Sequence, residues 1–153
     1  MIKVNIICVG SIKEKFFTQA VEEYMKRLSR FCSLNIVEVQ EEASEKSVSK
    51  KIEKESNKLI NALKGVVFLL DRQGQMISSE GLAESLDKVT SQGASEVSFV
   101  IGGSNGVSEA LKEKSKHIIS FGKVTYPHQL FRVVLLEQIY RAFTINSNLP
   151  YHK

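Results

Sequence analysis

The feature that most constrains this chain is a regular exchange between two hydrophobic periods. Short, β-rich apolar runs at Ile2–Val9, Leu34–Val39, Val66–Leu70, Val97–Ile101 and His117–Phe121 alternate with longer stretches whose apolar residues recur at helical spacing. A strand rich in Val, Ile and Leu needs cover on both faces, and the amphipathic segments between the runs are what can supply it. From Glu14 to Arg30, the residues Phe16, Phe17, Ala20, Val21, Tyr24, Met25 and Leu28 make one such stripe. The stretch from Glu41 to Lys58 is highly polar, with only Val48 and Ile52 as large apolar residues before Leu59, Ile60 and Leu63, and reads as a mostly solvated helix. Leu82, Ala83, Leu86 and Val89 form a third helix that ends at Ser91-Gln92-Gly93. A short helix is expected from Val107 to Ser115, and a last one, apolar nearly all round and therefore deeply packed, from near Pro127 to about Thr144. The turn chemistry of Arg72-Gln73-Gly74-Gln75 is expected to end the third strand at Asp71. Strands alternating with helices predict an α/β fold, a mostly parallel sheet with helices on both faces. Ligands of such sheets bind beyond the carboxyl ends of the strands.

With 153 residues and 42% apolar content, the chain is expected to form one domain over residues 1–153 around a single core. Its 25% charged residues set it apart from disordered and fibrous classes. The first apolar run is broken by Lys3 and Asn5 and is too short for a bilayer span or a signal-peptide core, so a cytoplasmic protein without membrane contact is expected. Cys8 and Cys32 stand apart from any metal-ligand spacing and read as buried thiols; no metal is expected. A net charge of +4 permits a polyanionic partner without requiring one.

Three stretches could carry chemistry. Gly102-Gly103-Ser104-Asn105-Gly106 joins a strand to a helix, where a glycine backbone can come close to a ligand and aim its N–H groups inward. It lacks the spacing of a dinucleotide fingerprint or a phosphate loop, and a ligand-free tight turn is an equal reading. Phe121-Gly122-Lys123-Val124-Thr125-Tyr126-Pro127-His128 is a second strand-end loop, able to wrap an aromatic ring; His128 reads either as a helix-start residue or as a catalytic one. In the helix that follows, Glu137 and Arg141 have the spacing of an ion pair, while Arg132 suits either phosphate or substrate contact or structural bonding. Finally, Tyr151-His152-Lys153 joins a stacking ring, an imidazole and a cation, the equipment for holding an RNA base; an inert, frayed tail is the alternative.

Taken together, Ile101-Gly102-Gly103-Ser104-Asn105-Gly106, Thr125-Tyr126-Pro127-His128-Gln129-Leu130-Phe131-Arg132, Glu137-Gln138-Ile139-Tyr140-Arg141-Ala142 and Pro150-Tyr151-His152-Lys153 make the chain resemble the ribosomal large-subunit pseudouridine methyltransferase H family of the SPOUT class. The likeness runs from the first strand to the last residue. It implies a trefoil knot in the carboxyl-terminal half, although knots are otherwise almost absent from proteins. It further implies a homodimer, S-adenosylmethionine as cofactor, and methylation of N3 of a pseudouridine in large-subunit ribosomal RNA on assembled ribosomes. By motif match, the cofactor contacts fall on Leu70, Gly102, Phe121, Gly122, Lys123, Val124, Thr125 and Tyr126, and the catalytic roles on His152, Tyr151, Arg132 and Lys153. The resemblance also has the tail completing the partner subunit's pocket, with His152 as proton acceptor or base-positioning group. The modest charge implies that recognition draws on the larger ribosomal surface and that naked RNA is a poor substrate. Two other classes remain open at this point: a non-catalytic nucleotide-binding module and a dimeric interaction protein whose last helix is only an interface.

Overall fold

Apolar strands that must be covered twice find their cover in a three-layer arrangement. In the computed structural model, which describes residues 1–153, the elements in chain order are β1 (Ile2–Val9), α1 (Lys15–Leu28), β2 (Cys32–Val39), α2 (Val48–Ala62), β3 (Val66–Met76), α3 (Ser79–Ser91), β4 (Glu96–Ile101), α4 (Glu109–Glu113), β5 (His117–Ser120) and α5 (His128–Asn146). The sheet order is β2-β1-β4-β3-β5 and every neighbouring pair is parallel. Side chains alternate between its faces. Val4, Ile6, Phe68 and Phe99 point to the side covered by Leu28 of α1, Leu82 and Leu86 of α3, and Leu135 and Ile139 of α5. Ile7, Leu69 and Val100 point the other way, against Leu59 of α2 and Leu111 of α4.

The expected elements form, with two differences that matter for the loops. The helix expected from Glu41 begins at Val48, because Ser47 caps it by accepting from the Lys50 N–H. The acidic residues before the cap make tertiary bonds instead: Glu41 pairs with Lys51, Glu45 with Lys54, and the Glu42 N–H donates to Glu55. The third strand does not stop at Asp71. Leu70 and Gln75 both pair with Ile119, so residues 71–74 leave the ladder and the chain returns to β5, continuing to Met76. Gly74 makes that return possible, since a Cβ there would stand 2.8 Å from the Ile118 carbonyl oxygen.

Between β1 and β4 the direction of winding reverses: β1 is followed outward by β2 on one side, while β4, β3 and β5 lie on the other. The carboxyl ends of β1 and β4 therefore flank the crevice where open α/β sheets hold their ligands. The last helix is packed as its composition requires, with Leu135, Leu136, Ile139 and Ala142 fully buried. Its sides are tied to α3 through Ser79–Gln138 at 2.7 Å and Asn146 to the Ala83 carbonyl at 3.0 Å. No helix is long and apolar enough to cross a membrane.

Cys8 and Cys32 are both buried, as expected. Burial pushes each thiol from 9.0 up to about 11, with Arg132 opposing the shift at Cys8. Because the folded value is raised, the stabilisation from keeping these thiols neutral is complete below about pH 9 and is lost as the pH rises through about 11. At about pH 8, alkylation of either cysteine in the folded protein should be about a hundred-fold slower than in denaturant; equal rates, read by mass spectrometry, would contradict this burial.

Candidate functional site

Three bends meet at the carboxyl edge of the sheet. After β4 the chain turns back on itself at Gly102, where a Cβ would stand 2.3 Å from Val107 Cγ1, so no other residue fits without displacing the loop. Inside this loop the Gly106 N–H donates to the Gly103 carbonyl at 3.1 Å. The second bend is the 71–74 excursion of β3. The third is the segment from Phe121 to Pro127, where the Gly122 N–H donates to Ser120 Oγ at 3.1 Å. Arg72 ties the last two together: its guanidinium donates to Thr125 Oγ1 at 2.8 Å and to the Lys123 carbonyl at 3.4 Å.

Between the bends lies a cleft of about 480 Å³, within the range usual for small-ligand sites. Of the residues expected to hold a cofactor, Leu70, Gly102, Phe121, Gly122, Val124, Thr125 and Tyr126 line it. Lys123 does not; what it contributes is the carbonyl that Arg72 grips. Phe131 stands behind the loop, its ring 5.7 Å from that of Phe121 and 5.3 Å from that of Tyr126, and stiffens the aromatic wall. Asp71, Arg72 and Gln73 add polar groups on the opposite side. An apolar and aromatic wall facing a few polar groups suits a flat, partly polar ligand such as a nucleoside.

A second recess, of about 550 Å³, opens beside the first at the ends of β1 and β2, and the two share Gly103, Ser104 and His128. Beneath it lies Arg132, only 5% exposed. Its Nη1 donates to Glu38 Oε2 at 2.5 Å and its Nη2 to the Gly10 carbonyl at 3.3 Å, while Nε has no partner. These bonds brace β2 against the β1–α1 turn. His128 is at the start of α5 on the wall of both recesses, placed for chemistry as well as for a helix start.

The tail lies elsewhere. Tyr151 packs edge-on against Tyr140 with ring centres 4.8 Å apart, under the guanidinium of Arg141 at 4.7 Å, and its hydroxyl donates to Glu137 at 2.7 Å. Burial, reinforced by the Glu137 carboxylate, pushes the phenol up to about 12. His152 bridges Arg141, at 3.1 Å, and Glu80 at the start of α3, at 2.5 Å. That bond to His152 holds the Glu80 carboxyl below its ordinary range. Glu137 and Arg141 form the expected ion pair, at 2.8 Å. Lys153 is exposed, and no tail residue lines either recess of the same chain.

Arg72 and Glu38 escaped the sequence reading. Arg72 sits in a stretch whose composition says turn, and Glu38 looks like any outward carboxylate on a strand; only a partner 94 positions away distinguishes it. Arg132→Met should lower the unfolding free energy by about 1–3 kcal/mol in urea denaturation, because it strips hydrogen bonds from Glu38 and from the Gly10 carbonyl. An unchanged midpoint would mean that the brace is idle.

The chain matches the family described as predicted SPOUT methyltransferases over residues 2–152. It is 50% identical over 157 aligned positions to the protein named ribosomal RNA large subunit methyltransferase H of Clostridium botulinum (strain Eklund 17B / Type B), covering 98% of this chain and 99% of the relative. Proteins of the same name from Clostridium novyi (strain NT) and from Lactobacillus acidophilus are each 46% identical over 157 positions, with the same coverage. A likeness of this depth over almost every residue, on a parallel sheet with a ligand-sized cleft at its carboxyl edge, leaves one assignment: the chain belongs to the SPOUT methyltransferase family.

Proposed function

We propose that this chain is an S-adenosylmethionine-dependent methyltransferase of large-subunit ribosomal RNA, transferring a methyl group to N3 of a pseudouridine on assembled ribosomes in the cytoplasm. Residues 1–153 act as one catalytic domain in a homodimer. The observation that carries the reading is the cleft between the Gly102 bend, the 71–74 excursion and the 121–126 loop, in a chain half identical to a protein named as a large-subunit ribosomal RNA methyltransferase. The cleft suits the cofactor because Gly102 lines it without a side chain and the aromatic wall can cover an adenine. When bound, S-adenosylmethionine supplies a methyl group already activated on a sulfonium.

The chain's own residues must then orient the nucleophilic nitrogen and accept its proton. Leu70, Phe121 and Val124 offer apolar contact to the adenosine, while backbone groups of Gly102, Gly122, Val124, Thr125 and Tyr126 offer hydrogen bonds. The tail supplies the proton chemistry. A Tyr151 phenol raised to about 12 stays protonated at neutral pH, so it donates and does not act as a base. His152 is the proton acceptor or base-positioning group, and Lys153 the adjacent cation. Because these three lie on the flank of α5, away from their own cleft, they serve the cleft of the partner subunit. The dimer reading is supported by two exposed apolar side chains, Phe16 at 61% and Leu130 at 37%. They flank the start of α1 and the start of α5, which are tied together where the Lys13 and Glu14 N–H groups donate to Gln129. The trefoil threading of this half of the chain is part of the same reading and comes from the family resemblance. No step in this scheme requires a metal.

Incubating ribosomes from a strain lacking this gene with the protein and labelled cofactor, then mapping the modified nucleotide by mass spectrometry, tests the proposal. One large-subunit pseudouridine should become labelled, with far less label on a free hairpin; no transfer to ribosomes would refute it. In the same assay, removal of residues 151–153 should lower turnover by about a hundred-fold or more, the scale of a lost acid–base group, while cofactor affinity holds. Full turnover without the tail would remove it from the mechanism.

A further inference from the structure

The cofactor reading uses only one of the two recesses at the sheet's carboxyl edge. The other lies at the winding reversal between β1 and β4 and is chemically different: of its 12 lining residues only two are apolar. Ser11, Lys13, Glu38, Gln40, His128 and Gln129 give it donors and acceptors of both signs. Such a lining suits a solute that carries hydrogen-bonding groups around its edge. Because Gly103, Ser104 and His128 belong to both recesses, a solute seated here lies directly beside the occupant of the cofactor cleft.

One carboxylate in this recess is held in place. Glu38 Oε2 accepts from Arg132, and Oε1 takes no hydrogen bond from the protein, on a side chain that is 40% exposed. Arg132 is buried with an unpartnered Nε, so Glu38 is the only negative group compensating it. A carboxylate paired with a guanidinium can only accept hydrogen bonds. The free oxygen is therefore a fixed acceptor, waiting for an N–H or O–H in the recess.

We propose that this recess seats the base to be methylated, and that Glu38 Oε1 accepts a ring N–H from it, with Arg132 as the positioning residue. The inference rests on the proposed function for the identity of the base. Pseudouridine is joined to its sugar through carbon and so carries a second ring N–H, at N1, which uridine lacks. A fixed acceptor at that edge favours pseudouridine, because uridine would leave the carboxylate desolvated and unmatched. Glu38 is thus a specificity-determining residue, distinct from the tail that handles the N3 proton.

The test compares wild type, Glu38→Gln and Glu38→Asp on ribosomes bearing pseudouridine or uridine at the target position. Wild type should prefer pseudouridine. Glu38→Gln should lower kcat/KM on pseudouridine by about ten- to hundred-fold, the scale of one charge-assisted hydrogen bond, and by less on uridine, so that the preference collapses. If the amide variant folds poorly, Glu38→Asp keeps the charge opposite Arg132 but withdraws the acceptor, and should lose the preference while binding the cofactor normally. A second readout needs no turnover. Titrating pseudouridine monophosphate into the cofactor-loaded protein should shift the backbone amide resonances of Gly10, Gly103 and Gln129 in wild type and not in the variants, with uridine monophosphate weaker. A wild-type preference retained by both variants, or nucleotide-induced shifts confined to other surfaces, would overturn the inference. If wild-type protein labels no ribosomal base, the proposed function fails, and the nucleotide titration still decides whether the recess binds this ring.

Discussion

The backbone of β5 runs so close to Gly74 that the two chain segments meet with no side chain between them. Everything at the carboxyl edge depends on that approach. By leaving β5 at Leu70 and rejoining it at Gln75, β3 throws Asp71, Arg72 and Gln73 outward over the strand ends. Arg72 then anchors the 121–127 loop from the far side. A similar lack of space at Gly102 folds the β4 loop back toward Val107. The cleft is what remains between two segments that touch at one point and are held apart at another. Its shape is therefore set by a backbone contact at Gly74 and by the Val107 side chain packed against Gly102.

The final helix shows how an apolar element can carry polar work. Buried residues surround it, yet Arg132, Glu137, Gln138 and Arg141 interrupt the pattern, and each is matched by a partner from another element or from the tail. Arg132 fixes the Glu38 carboxylate at the wall of the second recess. Glu137 and Arg141, further along the helix, hold Tyr151 and His152 against its flank. One helix thus serves both ends of the scheme. Its first turns organise a recess of its own subunit, and its middle holds the side chains that the proposed dimer would offer to the partner.

Much of this was legible in the sequence because the signals were periodic. Strand runs covered on both faces, and the helical stripes of α1 and α3, follow from spacing alone, and the glycine loop after β4 announces close backbone approach. What escaped notice depended on non-local partners. Residues 41–47 have helix-forming composition, and only the Ser47 cap and the lysines of α2 hold them out of the helix. Arg72-Gln73-Gly74-Gln75 has turn chemistry and does turn, but a neighbouring strand recaptures the chain at Gln75, which no local rule could show. Glu38 gains its meaning from Arg132, far along the chain. The tail residues could be recognised by type and by resemblance, whereas their position against Glu137, Arg141 and Glu80 is a matter of tertiary packing.

Close approach at the glycines of the strand ends is proposed to create the place where an adenosyl group binds. Calorimetry of S-adenosylmethionine with the native chain and with Gly102→Ala tests it most directly. The added methyl group would collide with Val107 and push the loop into the cleft. The account expects clear binding to the native chain and an affinity at least about ten-fold weaker in the variant, a cost of about 1.4 kcal/mol or more. Equal affinity in the two proteins, both folded, would contradict it.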